Sequence, residues 1–355
     1  MEPVRLLDLG SVSPVRSQTV YHAVAYAMGS RDSGAIVLVS PTDPYVCIGY
    51  HQILEHEVDE AYCHAHGLPI LRREVGGGAV YLDDGQVFVQ WIFHRDRLPS
   101  SLEQRFHLYI RPLVETYQAL GIQAYHRPIN DIQVAGRKIG GTGAASIGVS
   151  EVMVGSLMFD FNFEAMARVL KVPSEKMRDK VYTSLQEYMT TMARELGQAP
   201  DREAVKALYV QKCQAALGVD VVPGTLTERE EVVARELDQR FVSHEWLYQK
   251  KGLQQPGIKI NADIRLVEAA HKAQGGLIRV IARLREGRID DLAISGDFTV
   301  LPAFAVGEME RSLRGLALER EQLLTSVEET YGKLGIQSPG VAPDDIAEAV
   351  LRVGG

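Results

Sequence analysis

The stretch RREVGGGAVYLDDG, residues 72–85, places three consecutive glycines directly after two arginines. It lies between two strand-like runs, LPILRR and VFVQWIF, and alternation in the second run predicts a half-buried strand with Gln90 opposite the apolar residues. Glycine backbone can approach an anion closely and align N–H groups on it. Arg72 or Arg73 adds a planar, charged fork suited to carboxylate or phosphate. A flexible turn carrying two surface arginines is the alternative interpretation.

A second stretch, PINDIQVAGRKIGGTGAASIG at residues 128–148, predicts a β-hairpin. Asn130 and Asp131 precede a strand-like run, Ala135–Gly136 marks the turn, and Lys138 begins the return strand. Antiparallel pairing would bring Lys138 close to Asp131. There the lysine can stabilise negative charge that develops on a carboxylate or phosphate, and the aspartate can hold Mg²⁺ against nucleotide phosphates. The alternative is a hairpin with a solvated lysine.

Two further patterns point to function less strongly. The run GGTGAASIG is similar to a dinucleotide-binding loop, but the residues after it alternate like a strand and start no helix, which disfavours that interpretation. A histidine-rich segment matches no standard zinc ligand set, so solvent-facing histidines on a helix are favoured. The residues of this segment are His51, His56, Cys63, His64 and His66.

The order of strand and helix patterns predicts an α+β fold in two domains, because strands occur in runs and helices stand apart from them. The clearest helix begins at a capping box formed by Ser100 and Glu103 and ends at Gly121. A polar segment rich in glycine and proline separates a larger domain (1–252) from a smaller one (263–355) through a linker (253–262). Further helices are predicted near 162–171, 202–217, 228–242, 307–333 and 343–352, and a hairpin is predicted to turn at Glu286–Gly287.

Composition excludes several classes of protein. The formal net charge of −8 argues against broad binding of nucleic acid through phosphate contacts. No apolar run approaches the roughly 18–20 residues that span a bilayer, and the first residues lack the pattern of a secretory signal. The three cysteines, Cys47, Cys63 and Cys213, are far apart and predict free thiols in a reducing compartment. We therefore expect a cytoplasmic monomer that binds neither nucleic acid nor membrane.

Together, the two glycine-containing stretches resemble the lipoate–protein ligase A family of the biotin/lipoate ligase superfamily. The segments PYVCIGYHQ, VGSLMFDFNFEAMARVL and VSHEWLY fit the family's order, and LREGRIDDLAISGDF is similar to the accessory domain of its two-domain members. The resemblance spans most of the chain. It implies an α+β catalytic domain of mixed, largely antiparallel sheets flanked by helices, followed by a small α+β accessory domain.

The resemblance also implies a reaction. Members of the family join lipoate and ATP to form lipoyl-AMP and pyrophosphate, and then transfer the lipoyl group to a lysine of an acceptor protein as an amide. ATP, Mg²⁺ and lipoate are therefore expected. The expected acceptors are a lipoyl domain, the glycine-cleavage H protein or an H-like lipoate carrier, and the sequence does not choose among them.

Carried onto this chain, the resemblance makes Lys138 the catalytic residue that contacts the reacting carboxyl and phosphate oxygens. Arg73 and the three glycines cradle the acyl-phosphate end, and Asp131 is the candidate ligand of Mg²⁺. The segment 140–146 lines the adenosine side, while Val80 and Tyr81 flank the lipoyl chain. The complete set implied to bind lipoyl-AMP is Arg73, Gly76, Gly77, Gly78, Ala79, Val80, Tyr81, Asn130, Asp131, Gly140, Gly141, Thr142, Gly143, Gly155 and Ser156.

The chain departs from the family pattern at four positions within these motifs. Leu82 and Gln86 stand where the family often has histidine and asparagine, Val75 replaces a serine or threonine, and Val154 replaces a histidine. The stretch after Lys180 follows the family's adenylate-binding loop only loosely. These losses of polarity indicate a divergent subgroup with its own acceptor.

Other functions compete with the ligase. An octanoyl or lipoyl transferase of the same fold, working through a thioester, needs a cysteine close to the lysine. Cys63 and Cys213 are each 75 positions from Lys138 in sequence, so the ligase is favoured. Biotin ligation is disfavoured by the residues of the first motif, RREVGGGAVY. A lipoyl-binding module without activation activity is disfavoured because Lys138 is retained.

Overall fold

A computed structural model describes residues 3–30, 32, 34–253 and 264–354 of the protein. Its strands are β1 (Val4–Val12), β2 (Ala35–Pro41), β3 (Tyr45–Ile48), β4 (Ile70–Arg72), β5 (Val80–Leu82), β6 (Gln86–His94), β7 (Ala124–Arg127), β8 (Asp131–Val134), β9 (Arg137–Gly141), β10 (Gly143–Ile147), β11 (Ser150–Met158), β12 (Val221–Pro223), β13 (Ile264–Ala273), β14 (Gly276–Arg285) and β15 (Arg288–Gly296). Its helices are α1 (Pro14–Ala27), α2 (Leu54–Glu57), α3 (Glu60–Ala65), α4 (Leu102–Ala119), α5 (Phe163–Val169), α6 (Glu175–Tyr188), α7 (Met192–Leu196), α8 (Arg202–Leu217), α9 (Glu228–Phe241), α10 (His244–Leu247), α11 (Ala305–Leu313), α12 (Arg320–Leu334) and α13 (Pro343–Leu351). The predicted α+β class is confirmed.

The largest sheet has six strands in the order β10-β11-β6-β2-β1-β12. Its pairs are antiparallel from β10 to β2, whereas β1 lies parallel to both β2 and β12. The central strand β6 is buried along its whole length except for His94, so the prediction of a half-buried strand is wrong. The reason is that Trp91 and its same-face neighbours pack toward α4, while Phe88 on the other face packs in the core that contains α1.

Two small sheets carry the motifs recognised in the sequence. In the first, β3 pairs in parallel with β4 and antiparallel with β5, so the residues between β4 and β5 cross from one edge of the sheet to the other. In the second, β7, β8 and β9 form an antiparallel meander. Ala135 and Gly136 take positive φ values of 47° and 82° at the β8–β9 turn. The predicted hairpin is confirmed.

The longer helices of the larger part agree with the sequence pattern except at their ends and in the omission of α1 and α6, and the short helices α2, α7 and α10 were not predicted. The side chain of Ser101, and not that of Ser100, caps α4 by accepting a hydrogen bond from the backbone N–H of Gln104. A capping box of Thr227 and Glu230 begins α9, which lies where a helix was predicted. Helices α5 and α8 lie where they were predicted. Helices α1 and α6 were not predicted, although Ser13 and a following proline mark the start of α1.

The C-terminal part packs the antiparallel sheet β13-β14-β15 against α11, α12 and α13. Glu286 and Gly287 form the β14–β15 turn with φ values of 50° and 74°, which confirms the predicted hairpin. The single helix predicted near 307–333 is wrong, because α11 and α12 are separate helices. Gly315 lies between them at φ 82°, and its N–H donates to the Ile289 carbonyl in β15.

The buried apolar residues form separate cores on the two sides of the polar segment. One core contains only residues from 273 to 353, whereas the others lie within residues 4–246, apart from Leu301. The domain limits of 1–252 and 263–355 stay a prediction. The predicted linker 253–262 lies, apart from Leu253, outside the described residues.

Several contacts join the two parts. The Gly296 N–H donates to the His51 carbonyl at 3.2 Å. Arg279 pairs with Glu57 at 3.3 Å, and Lys250 pairs with the buried carboxylate of Glu310 at 2.6 Å. The first two contacts place β14 and β15 against the segment after β3, and the third joins α11 to the segment after α10.

Among the described residues, no helix combines the length and apolar character that a membrane span requires. The three cysteines are buried and form no disulfide, as expected of free thiols. The cytoplasmic location and the monomeric state stay predictions.

Candidate active site

Gly76, Gly77 and Gly78 lie in the loop between β4 and β5, beside the guanidinium group of Arg73. One Arg73 nitrogen, Nη2, donates to the carbonyls of Gly76 and Gly78 at 3.0 and 2.8 Å, and Nη1 donates to the Cys47 carbonyl at 3.3 Å. Gly77 has φ 97°, and a Cβ there would lie 2.9 Å from Arg73 Nη2. The loop therefore requires glycine at this position, and Arg73 fixes its shape.

Arg72 has a different role. Its side chain is completely buried and donates to the carbonyls of Gly49, Tyr50, Gln52 and Leu247 at 2.7–3.2 Å. Burial lowers the pKa of this guanidinium to about 10. Of the two arginines that the sequence offered as anion ligands, only Arg73 is in position to act as one, and Arg72 holds the surrounding backbone together.

The β8–β9 hairpin brings Lys138 and Asp131 into contact. Lys138 Nζ lies 2.7 Å from Asp131 Oδ1. The other carboxylate oxygen accepts from the Tyr188 hydroxyl at 3.4 Å and lies 3.9 Å from Arg127 Nη1. The Lys138 side chain keeps 29% of its surface exposed, so its ammonium group remains accessible to a ligand.

Asn130 and Thr142 tie the two ends of this hairpin together. The Asn130 amide donates to the Thr142 carbonyl at 2.6 Å, while the Thr142 N–H and hydroxyl both donate to the Asn130 carbonyl at 2.9 Å. Three hydrogen bonds between two residues fix the orientation of the strand that carries Lys138. Both residues were predicted to help place a nucleotide, and that role stays a prediction.

The glycine loop and the hairpin border the same cavity, which has a volume of about 710 Å³. Fourteen of the fifteen residues implied to bind the adenylate border it, together with Lys138. The exception is Gly140, because strand alternation turns it toward Ile132 Cδ1, 3.4 Å from an added Cβ, while Gly141 faces Lys138. The fourteen are Arg73, Gly76, Gly77, Gly78, Ala79, Val80, Tyr81, Asn130, Asp131, Gly141, Thr142, Gly143, Gly155 and Ser156.

The cavity has further lining residues that were not predicted from the sequence. The C-terminal part contributes the β13–β14 turn and the end of β15, with Lys272, Gln274, Gly275, Gly276 and Asp297. Helix α1 contributes Gln18 and Tyr21, and the end of α6 contributes Leu185 and Tyr188. The glycine pair at 275–276 was visible as a turn signal, but no local pattern tells which distant site a turn faces.

The departures from the family pattern lie in the cavity wall. Val75, Leu82, Gln86 and Val154 all border the cavity. Val75 leaves no room opposite it, because a Cβ on Gly143 would lie 2.5 Å from Val75 Cγ1. The wall is therefore more apolar here than the family pattern implies.

None of the three cysteines of the chain borders the cavity, and all three are completely buried. Burial raises the pKa of the Cys47 thiol, that of Cys63 to about 11 and that of Cys213 to about 12. These thiols are therefore protonated near neutral pH and are poor nucleophiles.

The histidine-rich segment is only partly solvent-facing. His64 and His66 are exposed on and after α3, as predicted. His51 is buried instead, and its ring stacks on Phe298 of the C-terminal part with centroids 5.2 Å apart. Within the described ranges, no group of three histidine, cysteine, aspartate or glutamate side chains is arranged to hold a metal ion.

The chain is similar to proteins of one known family. A family model described as the lipoyl protein ligase A/B catalytic domain matches residues 14–214. The chain is 29% identical to lipoate-protein ligase A subunit 1 of Thermoplasma acidophilum over 254 residues, 68% of the chain and 95% of that protein. It is 27% identical to lipoate–protein ligase 2 of Staphylococcus aureus, over 83% of the chain and 86% of that protein. It is also 27% identical to the octanoyltransferase LipM of Kyrpidia tusciae, over 70% and 100%.

Solved structures agree with this fold. A bipartite lipoate protein ligase studied with its E2 lipoyl domain, from Thermoplasma acidophilum, superposes with a TM-score of 0.65 at 26% identity, over 73% of the chain and all of that one. A lipoate-protein ligase A bound with ATP gives 0.61 at 24% identity, over 70% and 99%. LipL1 of P. falciparum in complex with lipoate gives 0.70 at 13% identity, over 92% and 94%. The last two support the fold alone, and the predicted fold is confirmed.

Proposed function

The chain is an enzyme of the lipoyl protein ligase A/B family, and on this premise we propose that it is an ATP-dependent lipoate–protein ligase. One observation carries the proposal: the glycine loop with Arg73 and the ammonium group of Lys138 border a single cavity that no cysteine reaches. Lipoate as substrate is supported by the similarity to lipoate–protein ligases, and ATP is the co-substrate that the family resemblance implies.

The proposed reaction has two steps. A lipoate carboxylate oxygen attacks the α-phosphorus of ATP, the bond to the β-phosphate oxygen breaks, and pyrophosphate leaves with the electron pair. The amine of an acceptor lysine then attacks the lipoyl carbonyl carbon, the bond to the phosphate oxygen breaks, and AMP leaves. The attacking nitrogen loses a proton, and an amide remains. Negative charge develops at one place in both steps, so fixed cationic and N–H donors there accelerate them.

We assign to Lys138 the stabilisation of this developing negative charge. Its ammonium group contacts Asp131, and a substrate phosphate or carboxylate in the cavity offers it a further anionic partner. Arg73 already donates to two carbonyls of the glycine loop, so its contribution is both to hold the loop and to add positive charge beside it. The loop glycines let backbone approach the acyl-phosphate closely.

In this assignment, the β8–β9 hairpin binds the nucleotide. Asn130, Thr142 and the neighbouring glycines line the adenosine side. Magnesium bound to a nucleotide needs only one or two protein carboxylates besides the phosphates. Asp131 can supply one, in competition with Lys138 and Arg127, so Mg²⁺ would enter with ATP. The acyl chain is assigned to the apolar wall of the cavity that includes Val80 and Tyr81.

The second candidate is an octanoyl or lipoyl transferase, and the similarity to LipM favours it. A transferase that works through a thioester needs a thiolate at the reacting carbonyl. Cys47, Cys63 and Cys213 lie outside the cavity, and burial raises the pKa of each. This observation supports the ligase.

The acceptor proposed for the second step is a lipoyl domain. The support is the Thermoplasma acidophilum relative, which was studied with its E2 lipoyl domain. The glycine-cleavage H protein and an H-like lipoate carrier are the other acceptors to be tested.

The test is pyrophosphate release from ATP, Mg²⁺ and lipoate, with lipoyl-AMP identified by mass spectrometry. We expect Lys138→Ala to lower the rate by roughly 10²–10³-fold, the usual effect of removing one transition-state donor. Lys206→Ala is the matched control, because Lys206 also contacts an aspartate, Asp8, at 2.6 Å but lies away from the cavity. Unchanged release by the Lys138 variant would overturn its assignment. No release by the unmodified protein would overturn the proposed ligase.

A further inference from the structure

The turn between β13 and β14 brings the C-terminal part to the wall of the cavity. On one side this turn lies beside the β8–β9 hairpin. The Gly275 N–H donates to the Gly340 carbonyl at 2.7 Å, and a Cβ at Gly340 would overlap the Ile129 side chain. Ile129 directly precedes Asn130. The turn therefore packs next to the segment that we assign to the nucleotide.

The other side of the turn lies beside the glycine loop. The Leu277 N–H donates to Asp297 Oδ1, which ties the turn to the end of β15. A Cβ at Gly78 would lie 3.6 Å from the Asp297 Cβ. The turn is therefore located between the hairpin assigned to the nucleotide and the loop assigned to the acyl-phosphate. The phosphate groups of a bound nucleotide connect these two places.

The side chain of Lys272 stands on the face of the β13–β14 pair that packs toward the larger part. Lys272 lies opposite Leu277, and Ala270 lies opposite Arg279. Opposite residues of an antiparallel pair share one face of the sheet, and so do alternate residues of a strand. Arg279 on this face reaches Glu57 of α2 at 3.3 Å. Lys272 therefore extends toward the larger part, and it borders the cavity.

Lys272 is the cation of the cavity that has no partner. Four cationic side chains border the cavity: Arg73, Arg127, Lys138 and Lys272. Arg73 donates to backbone carbonyls, while Arg127 and Lys138 lie 3.9 and 2.7 Å from Asp131. Lys272 makes no hydrogen bond or ion pair with any residue that the structure describes, including Asp297. Its side chain is exposed, so the ammonium group is available to a ligand.

Phosphate groups are the partner that fits an unpaired ammonium group at this place. The β- and γ-phosphates of ATP are negatively charged, and pyrophosphate gains further negative charge as its bond to the α-phosphorus breaks. A lysine ammonium is a compact cation on a flexible stem, so it can stay in contact with a group that moves away. A contact that strengthens as charge develops accelerates the step in which the charge appears.

We propose that Lys272 binds the β- and γ-phosphates of ATP and stabilises pyrophosphate as it leaves. This inference rests on the proposed function and adds a catalytic residue from the C-terminal part to the activation step. Lys138 acts at the reacting carboxyl and the α-phosphate, whereas Lys272 acts at the leaving group. The second step releases AMP and involves no pyrophosphate, so it does not need Lys272.

The experiment measures the two steps separately in the unmodified protein, Lys272→Ala and Lys272→Arg. We expect Lys272→Ala to lower kcat/KM for ATP in pyrophosphate release by about 10–100-fold, the effect of losing one hydrogen bond to a charged group. Lys272→Arg keeps the charge and should retain most of the rate. Transfer of the lipoyl group from supplied lipoyl-AMP to a lipoyl domain should be the same in all three proteins.

Calorimetry provides a readout that does not depend on activity. Lys272→Ala should weaken the binding of inorganic pyrophosphate and leave the binding of AMP unchanged. Lys333→Ala is the matched control, because Lys333 is another exposed lysine of the C-terminal part, without a partner among the described residues, and does not border the cavity. It should alter neither step and neither binding reaction.

The outcomes separate this inference from the proposed function. Equal pyrophosphate release by the unmodified protein and Lys272→Ala would refute the role of Lys272 and leave the ligase intact. An equally large loss in transfer from supplied lipoyl-AMP would also refute it, because no pyrophosphate is present in that step. No pyrophosphate release by the unmodified protein would overturn the ligase itself.

Discussion

Replacing Gly76 by alanine tests how closely the glycine loop meets the C-terminal part. A Cβ at Gly76 would lie 2.7 Å from the Phe298 carbonyl oxygen and 3.0 Å from the Thr299 Cα. Ordinary van der Waals contact begins near 3.4 Å, so backbone has to move by roughly 0.7 Å on one side or the other. Forced overpacking of this kind lowers stability by about 1–3 kcal/mol.

Gly78→Ala is the matched variant. Its added Cβ would lie 3.6 Å from the Asp297 Cβ, an ordinary contact, and Gly78 has no positive φ. Both substitutions restrict the unfolded chain equally, an effect worth about 0.4–1 kcal/mol that cancels in the comparison. The expected difference in the free energy of unfolding between the two variants is therefore about 1–3 kcal/mol.

The assay is denaturant unfolding of both variants beside the unmodified protein, with amide hydrogen exchange to locate the change. We expect Gly76→Ala to unfold at lower denaturant and to exchange faster at residues 296–301, and Gly78→Ala to do neither. Equal stability and equal exchange in the two variants would refute the close contact between loop and C-terminal part.

Three other predictions follow from buried groups. Replacing Cys47, Cys63 and Cys213 together by alanine should leave acyl transfer to an acceptor intact, and total loss of transfer in a folded variant would favour the thioester transferase. Burial lowers the pKa of His51 from 6.5 to about 3. The His51 ring is therefore protonated at a higher pH in the unfolded chain than in the folded protein, and stability is lost as the pH falls from about 6.5 toward 3. At pH 5 this loss is about 2 kcal/mol, and His51→Gln should remove that part of the pH dependence of unfolding, whereas an identical dependence would contradict it. Arg72→Lys should lower stability by about 2–4 kcal/mol in thermal or denaturant unfolding, because lysine cannot reach the four carbonyls that the guanidinium group serves; unchanged stability would show that those contacts matter little.

The sequence predicted well those parts of the site that local rules determine. The β8–β9 hairpin follows from Ala135–Gly136 between two short strands, and pairing then requires the contact of Lys138 with Asp131. The glycine loop follows from its glycines, because Gly77 has a positive φ that residues with a side chain rarely adopt. In both cases the decisive interaction spans fewer than ten residues.

The parts that escaped prediction depend on distant segments. Alternation in β6 was read as one buried and one solvated face, yet Gln86 and Gln90 face a cavity and α1 instead of solvent. A polar residue in a strand looks the same in sequence whether it meets water or a binding site. For the same reason, His51 appeared solvent-facing, because Phe298, on which it stacks, is almost 250 positions away.

The burial of all three thiols has a consequence for the lipoate substrate that we propose. The ring of oxidised lipoate is a cyclic disulfide, which a nearby thiolate opens by exchange. With Cys47, Cys63 and Cys213 buried in the interior and protonated, the enzyme presents no sulfur nucleophile to the substrate that we propose. The pocket can therefore hold the strained ring without being trapped as a mixed disulfide.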